Sequence, residues 1–298
     1  GSSGSSDRPA PRASSSARSG QDRAAERGGR PAGGGTRSAA SYERSSAPPR
    51  TGADRGDGRS RDAGRDRRPA DLDRRPPRPV EPELPAGSDA SDLDEDVLRE
   101  LNGLPAGLSE RVGAHLAAAG YYLEDEPEVA HRHAVFARSL ATRLASVREV
   151  VGITGYLTGQ FADALADLRA ARRMTGRADV LPIMADCERG LGRPERALAM
   201  WDDPQVARLD VATRIELLIV VAGARRDLGQ DESAAVMLQV PELHRTVEQP
   251  WCARLRYAYA DVLAALGRTD EARRWFTAAV QVDEEELTDA AERLAALG

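Results

Sequence analysis

Apolar residues recur three and four positions apart over long stretches of the chain after residue 95, a spacing that places them on one face of an α-helix. Short polar runs, most of them containing Gly, interrupt these stretches. Three clear stripes are Val180, Ile183, Met184, Cys187 and Leu191; Phe161, Ala164, Leu165 and Leu168; and Ala272, Trp275, Phe276 and Ala279. The pattern predicts amphipathic helices on both sides of tight turns.

The chain also repeats itself. The runs LGRPERA (191–197), LGQDESA (228–234) and LGRTDEA (266–272) share a pattern, and TGQFADA (158–164) and EDEPEVA (124–130) are more divergent copies. The second positions of the five runs, their anchors, lie 34, 33, 37 and 38 residues apart. Repeats of this length indicate a stack of similar supersecondary units.

Two columns of small residues flank the anchors. Seven positions before them stand Ala118, Gly152, Ala185, Ala222 and Ala260, and five positions after them stand Ala130, Ala164, Ala197, Ala234 and Ala272. Such residues fit where two helices cross too closely for a larger side chain. Four of the five anchors are Gly, which adopts the left-handed angles of a sharp helix end. Each unit is therefore predicted to be a helix, a tight turn and an antiparallel helix.

On these features the chain resembles the tetratricopeptide repeat (TPR) family, whose unit of about 34 residues has a small residue in its first helix and Gly before its second. The family's bulky position in the second helix is occupied here by Leu168, Trp201, Leu238 and Phe276. The resemblance covers roughly residues 108–282. It implies an all-α, right-handed α/α superhelical solenoid of about five hairpins.

Three departures refine this prediction. Pro204 and Pro241 lie twelve residues past their anchors, so the second helices of these repeats should end early and be followed by loops or short turns. Thr288 and the residues after it predict an N-capped closing helix. A short helix is expected near 94–101.

Composition divides the chain into three parts. Residues 1–80 contain only Tyr42, Leu72 and Val80 as large apolar or aromatic residues, too few to offset the entropy of ordering, so a disordered tail is predicted. Residues 81–94 form a predicted acidic linker, and residues 95–298 form the helical repeat domain. The formal net charge of −6 conceals +8 in the tail and −14 in the remainder.

The tail invites several interpretations. Its runs at 26–37 and 61–79 resemble Arg-Gly-rich segments that associate with RNA, and phosphate attraction would make such a contact weak and salt-sensitive. Two features favour an inert solubilising or spacer tail instead. Ten acidic residues are interspersed among the arginines, and Tyr42 is the single aromatic residue of the tail that could stack on a base. A tail that folds back on the acidic body is a third interpretation.

Catalytic and metal chemistry are not expected. His131 and His133 should point to different sides of one helix, and His133 falls in an apolar stripe that suits packing. Cys187 also lies in an apolar stripe, where a thiol acts as a small hydrophobe. Sequence motifs for nucleotide binding, metalloproteases and serine hydrolases are absent. The prediction is a protein without enzymatic activity, cofactor or metal.

The family resemblance implies that the stacked first helices line a concave groove. Carried onto this chain, the groove-lining residues are His115 and Tyr122; Glu149, Ile153 and Tyr156; Asp179, Asp186 and Arg189; Glu216 and Arg226; and Arg254, Tyr257 and Asp261. Charges of both signs beside aromatic rings suit a peptide or partner helix, although each residue taken singly also fits an ordinary solvated surface.

The predicted function is a scaffold or adaptor that binds another protein or peptide segment, and an RNA- or ribosome-associated factor is the alternative. Because the chain has no Lys and one Asn, Asn102, it lacks the Lys and Asn pattern with which family members hold a terminal carboxylate.

A cytoplasmic location is expected. The two cysteines, Cys187 and Cys252, are too few for a disulfide framework, which fits a reducing compartment. The longest strongly apolar run, 217–222, is far shorter than the roughly 18 residues that span a bilayer, so no membrane contact is predicted. No basic region followed by an apolar core marks the N-terminus as a secretion signal. The chain contains Arg but no Lys and is rich in Ala and Gly. This composition is typical of proteins from GC-rich genomes such as those of actinobacteria.

Overall fold

The computed structural model describes residues 79–86, 88–245 and 249–297. The predicted disordered tail, residues 1–80, lies outside this part of the chain except for Pro79 and Val80. No strand occurs in these three ranges. The helices are α1 (Glu95–Leu101), α2 (Ala106–Tyr121), α3 (Pro127–Leu140), α4 (Ala145–Leu157), α5 (Phe161–Thr175), α6 (Leu181–Gly190), α7 (Pro194–Ala199), α8 (Val211–Asp227), α9 (Asp231–Leu238), α10 (Pro250–Ala265), α11 (Thr269–Val280) and α12 (Ala290–Ala296).

The helices pair into five consecutive hairpins, α2/α3, α4/α5, α6/α7, α8/α9 and α10/α11, with α12 packed against α11. Each new first helix also packs on the second helix of the hairpin before it. The predicted all-α fold of five TPR-like hairpins with a closing helix is confirmed.

The turn of four hairpins has one geometry. Gly159, Gly192, Gly229 and Gly267 have φ angles of 74°, 69°, 70° and 72°, in the left-handed region. At the first of them, the Gln160 amide donates to the Gly155 carbonyl at 2.8 Å and the Gly159 amide donates to the Tyr156 carbonyl at 3.0 Å. These two bonds satisfy carbonyls that the helix end leaves open. The repeated glycines are therefore required by the turn, as the sequence predicts.

Both columns of small residues are buried where the helices cross. Each Ala of the two columns is at most 1% exposed. At Gly152, an added Cβ would lie 2.5 Å from Leu168 Cγ and 3.2 Å from the Ala164 carbonyl oxygen. Because no side chain fits this gap, α4 approaches α5 as closely as the two backbones allow.

The predicted short second helices are confirmed. α7 has six residues and α9 has eight, whereas α5 has fifteen. Short 3-10 turns follow them at Met200–Asp202, Val206–Arg208 and Pro241–His244. The closing helix corrects one detail, because its N-cap residue is Asp289 and not Thr288. The Thr288 hydroxyl accepts from the Ala290 amide at 3.4 Å and donates to Asp283 Oδ2 at 2.5 Å, whereas the Asp289 side chain makes no capping bond.

The segment before the first hairpin packs on α2. Ala90 fills the space beside Gly113, where an added Cβ would lie 2.7 Å from the Ala90 Cβ. Leu101 of α1 is 2% exposed in an apolar cluster with Val112 and Leu116 of α2. The predicted linker 81–94 thus contributes contacts to the first hairpin, and α1 lies where the sequence places it.

A buried carboxylate joins the first two hairpins. Asp167 of α5 is 2% exposed and accepts hydrogen bonds from Arg138 of α3 and, at 2.6 Å, from Arg148 of α4. A buried charge is tolerated because both of its oxygens are paired. The stacking of hairpins therefore depends on ion pairs as well as on apolar contact.

Candidate partner-binding surface

The predicted groove residues lie on the first helices or next to their ends, and hydrogen bonds or ion pairs join several of them across neighbouring helices. All of them except His115 are half-buried, neither enclosed in the core nor fully solvated. We call the following set the first-helix surface: Tyr122, Glu149, Ile153, Tyr156, Asp179, Asp186, Arg189, Glu216, Arg226, Arg254, Tyr257 and Asp261.

His115 lies elsewhere, in the core of the first hairpin. It is 0% exposed, with its Nδ1 atom 2.9 Å from Nδ1 of His133 and its Nε2 atom 3.3 Å from Oε1 of Glu81. Burial, and then the positive charges of His115 and Arg132, lower the pKa of His133 to about 4. Burial also lowers the pKa of His115, against the opposing effect of Glu81. One neutral imidazole therefore donates to the other, and His115 offers no open surface.

The predicted packing role of His133 is confirmed by its complete burial. His131 points to a different side of α3, where its Nδ1 atom lies 2.9 Å from the Thr154 hydroxyl oxygen of α4. The remaining predicted first-hairpin residue, Tyr122, stacks on His133 with ring centroids 5.8 Å apart. Tyr122, which is half-buried, is the residue of this hairpin that belongs to the first-helix surface.

A chain of polar contacts links α4, α6 and α8. The Tyr156 hydroxyl of α4 donates to Asp186 Oδ2 of α6 at 2.6 Å. Arg189 donates to Asp186 Oδ1 at 2.9 Å and, through Nε, to Asp227 Oδ2 of α8 at 2.8 Å. The Arg189 guanidinium lies over Gly223, where an added Cβ would be 2.7 Å from Cζ. Asp227 and Gly223 are functional neighbours that sequence reasoning missed.

The C-terminal half of the surface is held in the same way. Arg254 of α10 pairs with Glu216 of α8 at 2.8 Å. Arg226 of α8 donates to Asp261 of α10 at 2.5 Å, and Arg293 of the closing helix pairs with the other oxygen of Asp261. Two ion pairs therefore join α8 to α10, and a third joins α10 to the closing helix α12. The predicted charges thus bond to one another before any partner arrives.

Burial and nearby charges act on the pKa of Tyr156. Burial raises this pKa most, and Asp186 raises it further, while Arg254 acts in the opposite direction. The Tyr156 hydroxyl therefore stays protonated and donates its hydrogen bond to Asp186.

The N-terminal end of the surface is acidic and less neutralised. Among the described residues, Glu149 makes no hydrogen bond or ion pair. Asp179 pairs with Arg177 through Oδ2, while its Oδ1 atom is buried with no hydrogen-bond partner in the described part of the chain. Burial raises the pKa of Glu149, and the negative charges of Asp179 and Glu100 add to the effect while Arg177 opposes it. At this end, Arg177 is bonded to Asp179, and Glu149 has no bonded cation among the described residues.

Two clefts adjoin the hairpins. The smaller, about 210 Å³, opens between α1, α2 and α4 and includes Ile153 of the first-helix surface. The larger, about 420 Å³, is lined by residues of α3, α4 and α5 with Pro79 and Val80, and contains no member of the first-helix surface. The smaller cleft is therefore the one that extends the candidate site.

The cysteines do not join the site. Cys187 is fully buried in an apolar cluster, and burial, followed by the nearby acids, raises its thiol pKa to about 12. The predicted packing role of Cys187 is confirmed. In the described ranges, no group of three or more His, Cys, Asp or Glu side chains could hold a metal ion. None of the helices in those ranges is both long enough and apolar enough to cross a bilayer.

Five consecutive hairpins, four of which share one Gly-centred turn, define the chain as an α-helical repeat protein of TPR-like hairpins. No protein-family model matches the sequence, and no curated protein matches it. Two of the solved structures that are similar in part to this chain are TPR proteins. One, TTC0263, a thermophilic TPR protein in Thermus thermophilus, has a TM-score of 0.49 and 18% identity over 62% of this chain and 98% of that chain. The other, YrrB, a TPR protein described as having an unusual peptide-binding site, has a TM-score of 0.38 and 16% identity over 61% of this chain and 91% of that chain.

Proposed function

We propose that the protein is a cytosolic, non-enzymatic scaffold or adaptor that binds a segment of another protein along the first-helix surface. The observation that carries this proposal is the row of half-buried charged and aromatic side chains on α4, α6, α8 and α10. A surface of ordered, partly desolvated Arg and Tyr side chains is typical of protein recognition sites.

Pre-organisation supports the proposal. Arg189, Arg226 and Arg254 are each held by carboxylates of neighbouring helices. Side chains that are already ordered lose little rotamer entropy on binding, so more of the contact energy remains as affinity. The face is thus suited to a partner that supplies hydrogen-bond acceptors and aromatic contact in an extended or helical segment.

Affinity capture with the full chain tests the proposal. The wild type is compared with a double variant, Arg226→Gln and Arg254→Gln, and with a matched control, Arg274→Gln, whose side chain is exposed on α11. The proposal expects one protein to be recovered by wild type and control and lost from the double variant, all three being equally folded by circular dichroism. Equal recovery by the double variant, or no specific recovery by the wild type, would contradict it.

The alternative, an RNA- or ribosome-associated factor, depends on residues 1–80, of which the structure describes only 79 and 80. It stays a proposal that rests on the arginine content of the tail. Filter binding across a salt series, with the full chain and a chain lacking residues 1–78, tests it. An unchanged affinity and salt slope after the deletion would reject this function.

A further inference from the structure

The carboxylates of the first-helix surface are not equivalent. Asp186, Glu216 and Asp261 are each bonded by an arginine of the same surface. Glu149 makes no such bond within the described part of the chain, and the fully buried Oδ1 atom of Asp179 has no partner there. Half-buried carboxylate oxygens without donors lose hydration without gaining a bond. A ligand donor that reaches Glu149 therefore gains a bond without displacing an arginine of the surface.

An apolar recess lies beside these two carboxylates. Ile153 follows Glu149 by four residues on α4, so the two side chains are neighbours on one helix face. Ile153 lines the cleft of about 210 Å³, whose other walls include Val97, Leu116, Leu123 and Val150. A cavity of about 150 Å³ holds a benzene ring, so this recess admits one large apolar side chain. The site thus places an apolar cleft next to the Glu149 carboxylate.

We propose that this end of the first-helix surface docks a partner segment with a large apolar side chain and an Arg or Lys about one helical turn away. The apolar side chain enters the recess at Ile153, and the cation pairs with the Glu149 carboxylate. The inference rests on the proposed scaffold function and assigns the chemistry of the partner.

Charge complementarity selects this occupant. Glu100, whose Oε2 atom accepts from the Ser146 amide at 3.0 Å, adds its negative charge near Glu149. The nearby cation, Arg177, is engaged with Asp179 Oδ2 and leaves the Glu149 carboxylate without a bond among the described residues. An acidic segment would be repelled here, and a neutral segment would bring no counter-charge. Guanidinium and ammonium groups bring a positive charge and several hydrogen-bond donors each.

A random peptide library displayed on phage, selected against the full chain, provides the probes, and fluorescence anisotropy measures the affinity of the peptides recovered. We expect the recovered peptides to pair a large apolar residue with Arg or Lys three or four positions away. Their affinity should fall on the order of tenfold in the double variant Glu149→Gln and Asp179→Asn, because charge-assisted hydrogen bonds are lost. Ile153→Ala should weaken them as well, and the control pair Glu195→Gln and Glu232→Gln, exposed on the second helices α7 and α9, should not.

The outcomes separate this inference from the general function. Peptides that bind the double variant as tightly as the wild type, but are lost with Arg226→Gln and Arg254→Gln, would overturn the inference and keep the scaffold function. Failure to recover any saturable peptide would overturn both. A synthetic peptide with the sequence of residues 61–78 that displaces the selected peptides at equal affinity would assign the site to this chain's own arginine-rich segment. Self-association of the protein that is lost in the double variant would assign the site to a second copy of the chain. The urea midpoint of the double variant should change little, because Glu149 makes no bond among the described residues and Arg177, the partner of Asp179, is 54% exposed. An unchanged midpoint distinguishes lost binding from lost folding.

Discussion

Replacing Gly152 by Ala tests whether the close approach of α4 and α5 is a steric requirement of the fold. The new Cβ would lie 2.5 Å from Leu168 Cγ and 2.6 Å from Leu168 Cδ2. Leu168 is 0% exposed and cannot swing into solvent, and the Ala164 carbonyl oxygen at 3.2 Å is part of the α5 backbone. The helices therefore have to move apart or adopt strained rotamers.

The magnitude follows from two opposing effects. Overpacking of a filled core costs about 1–3 kcal/mol, and Ala in place of Gly within a helix returns up to about 1 kcal/mol. Gly120 provides a matched control, because it also lies in a first helix, α2, but has no atom within 4 Å of an added Cβ. We expect Gly152→Ala to lower the free energy of unfolding and Gly120→Ala to leave it equal or higher, a difference of about 2 kcal/mol. Urea denaturation followed by circular dichroism measures both, and equal stability of the two variants would refute the steric interpretation.

Three further predictions follow from other contacts. Gly229→Ala should destabilise the protein by about 1 kcal/mol and Gly229→Asn by less, because Asn tolerates the positive φ better; equal denaturation midpoints would argue against the turn requirement. Asp167→Asn should cost about 2 kcal/mol by leaving Arg138 and Arg148 without their shared carboxylate, whereas Asp163→Asn, an exposed neighbour on α5, should cost almost nothing. The His133 pKa of about 4 lies below the ordinary 6.5, so the unfolded chain binds more protons, and stability should decline as pH falls from about 6.5 towards about 4. His133→Gln should flatten that part of a melting-temperature profile, and a slope identical to that of wild type and of the exposed-site control His244→Gln would show that His133 is not the titrating group.

The features that sequence predicted are local or repeated. The positive φ of Gly192 and the burial of Ala185 and Ala197 each depend on a helix and its own turn, so the same residue types recur in every hairpin. The early end of α9 likewise follows from Pro241 a few residues away. Such features are visible in one chain because the repeats serve as an internal comparison.

Contacts between distant segments were not predictable in this way. The prediction for His115 does not anticipate its burial or its contact with Glu81, which lies 34 residues earlier outside the repeats. Asp227, 38 residues after Arg189, pairs with it, and Asp261, 35 residues after Arg226, pairs with that arginine. No periodic signal marks these residues. A pair of complementary charges about one repeat apart is the one clue the sequence contains.

The internal ion pairs also determine where binding is least opposed. A partner that bonds to Arg189 has to compete with Asp186 and Asp227, which already satisfy that guanidinium. Exchange of one charged pair for another yields little net free energy, because the bond gained replaces a bond lost. Glu149 presents no such competition among the described residues, so a cation placed there gains a bond without breaking one. The same contacts that stiffen the C-terminal hairpins thereby direct a basic partner to the N-terminal end of the first-helix surface.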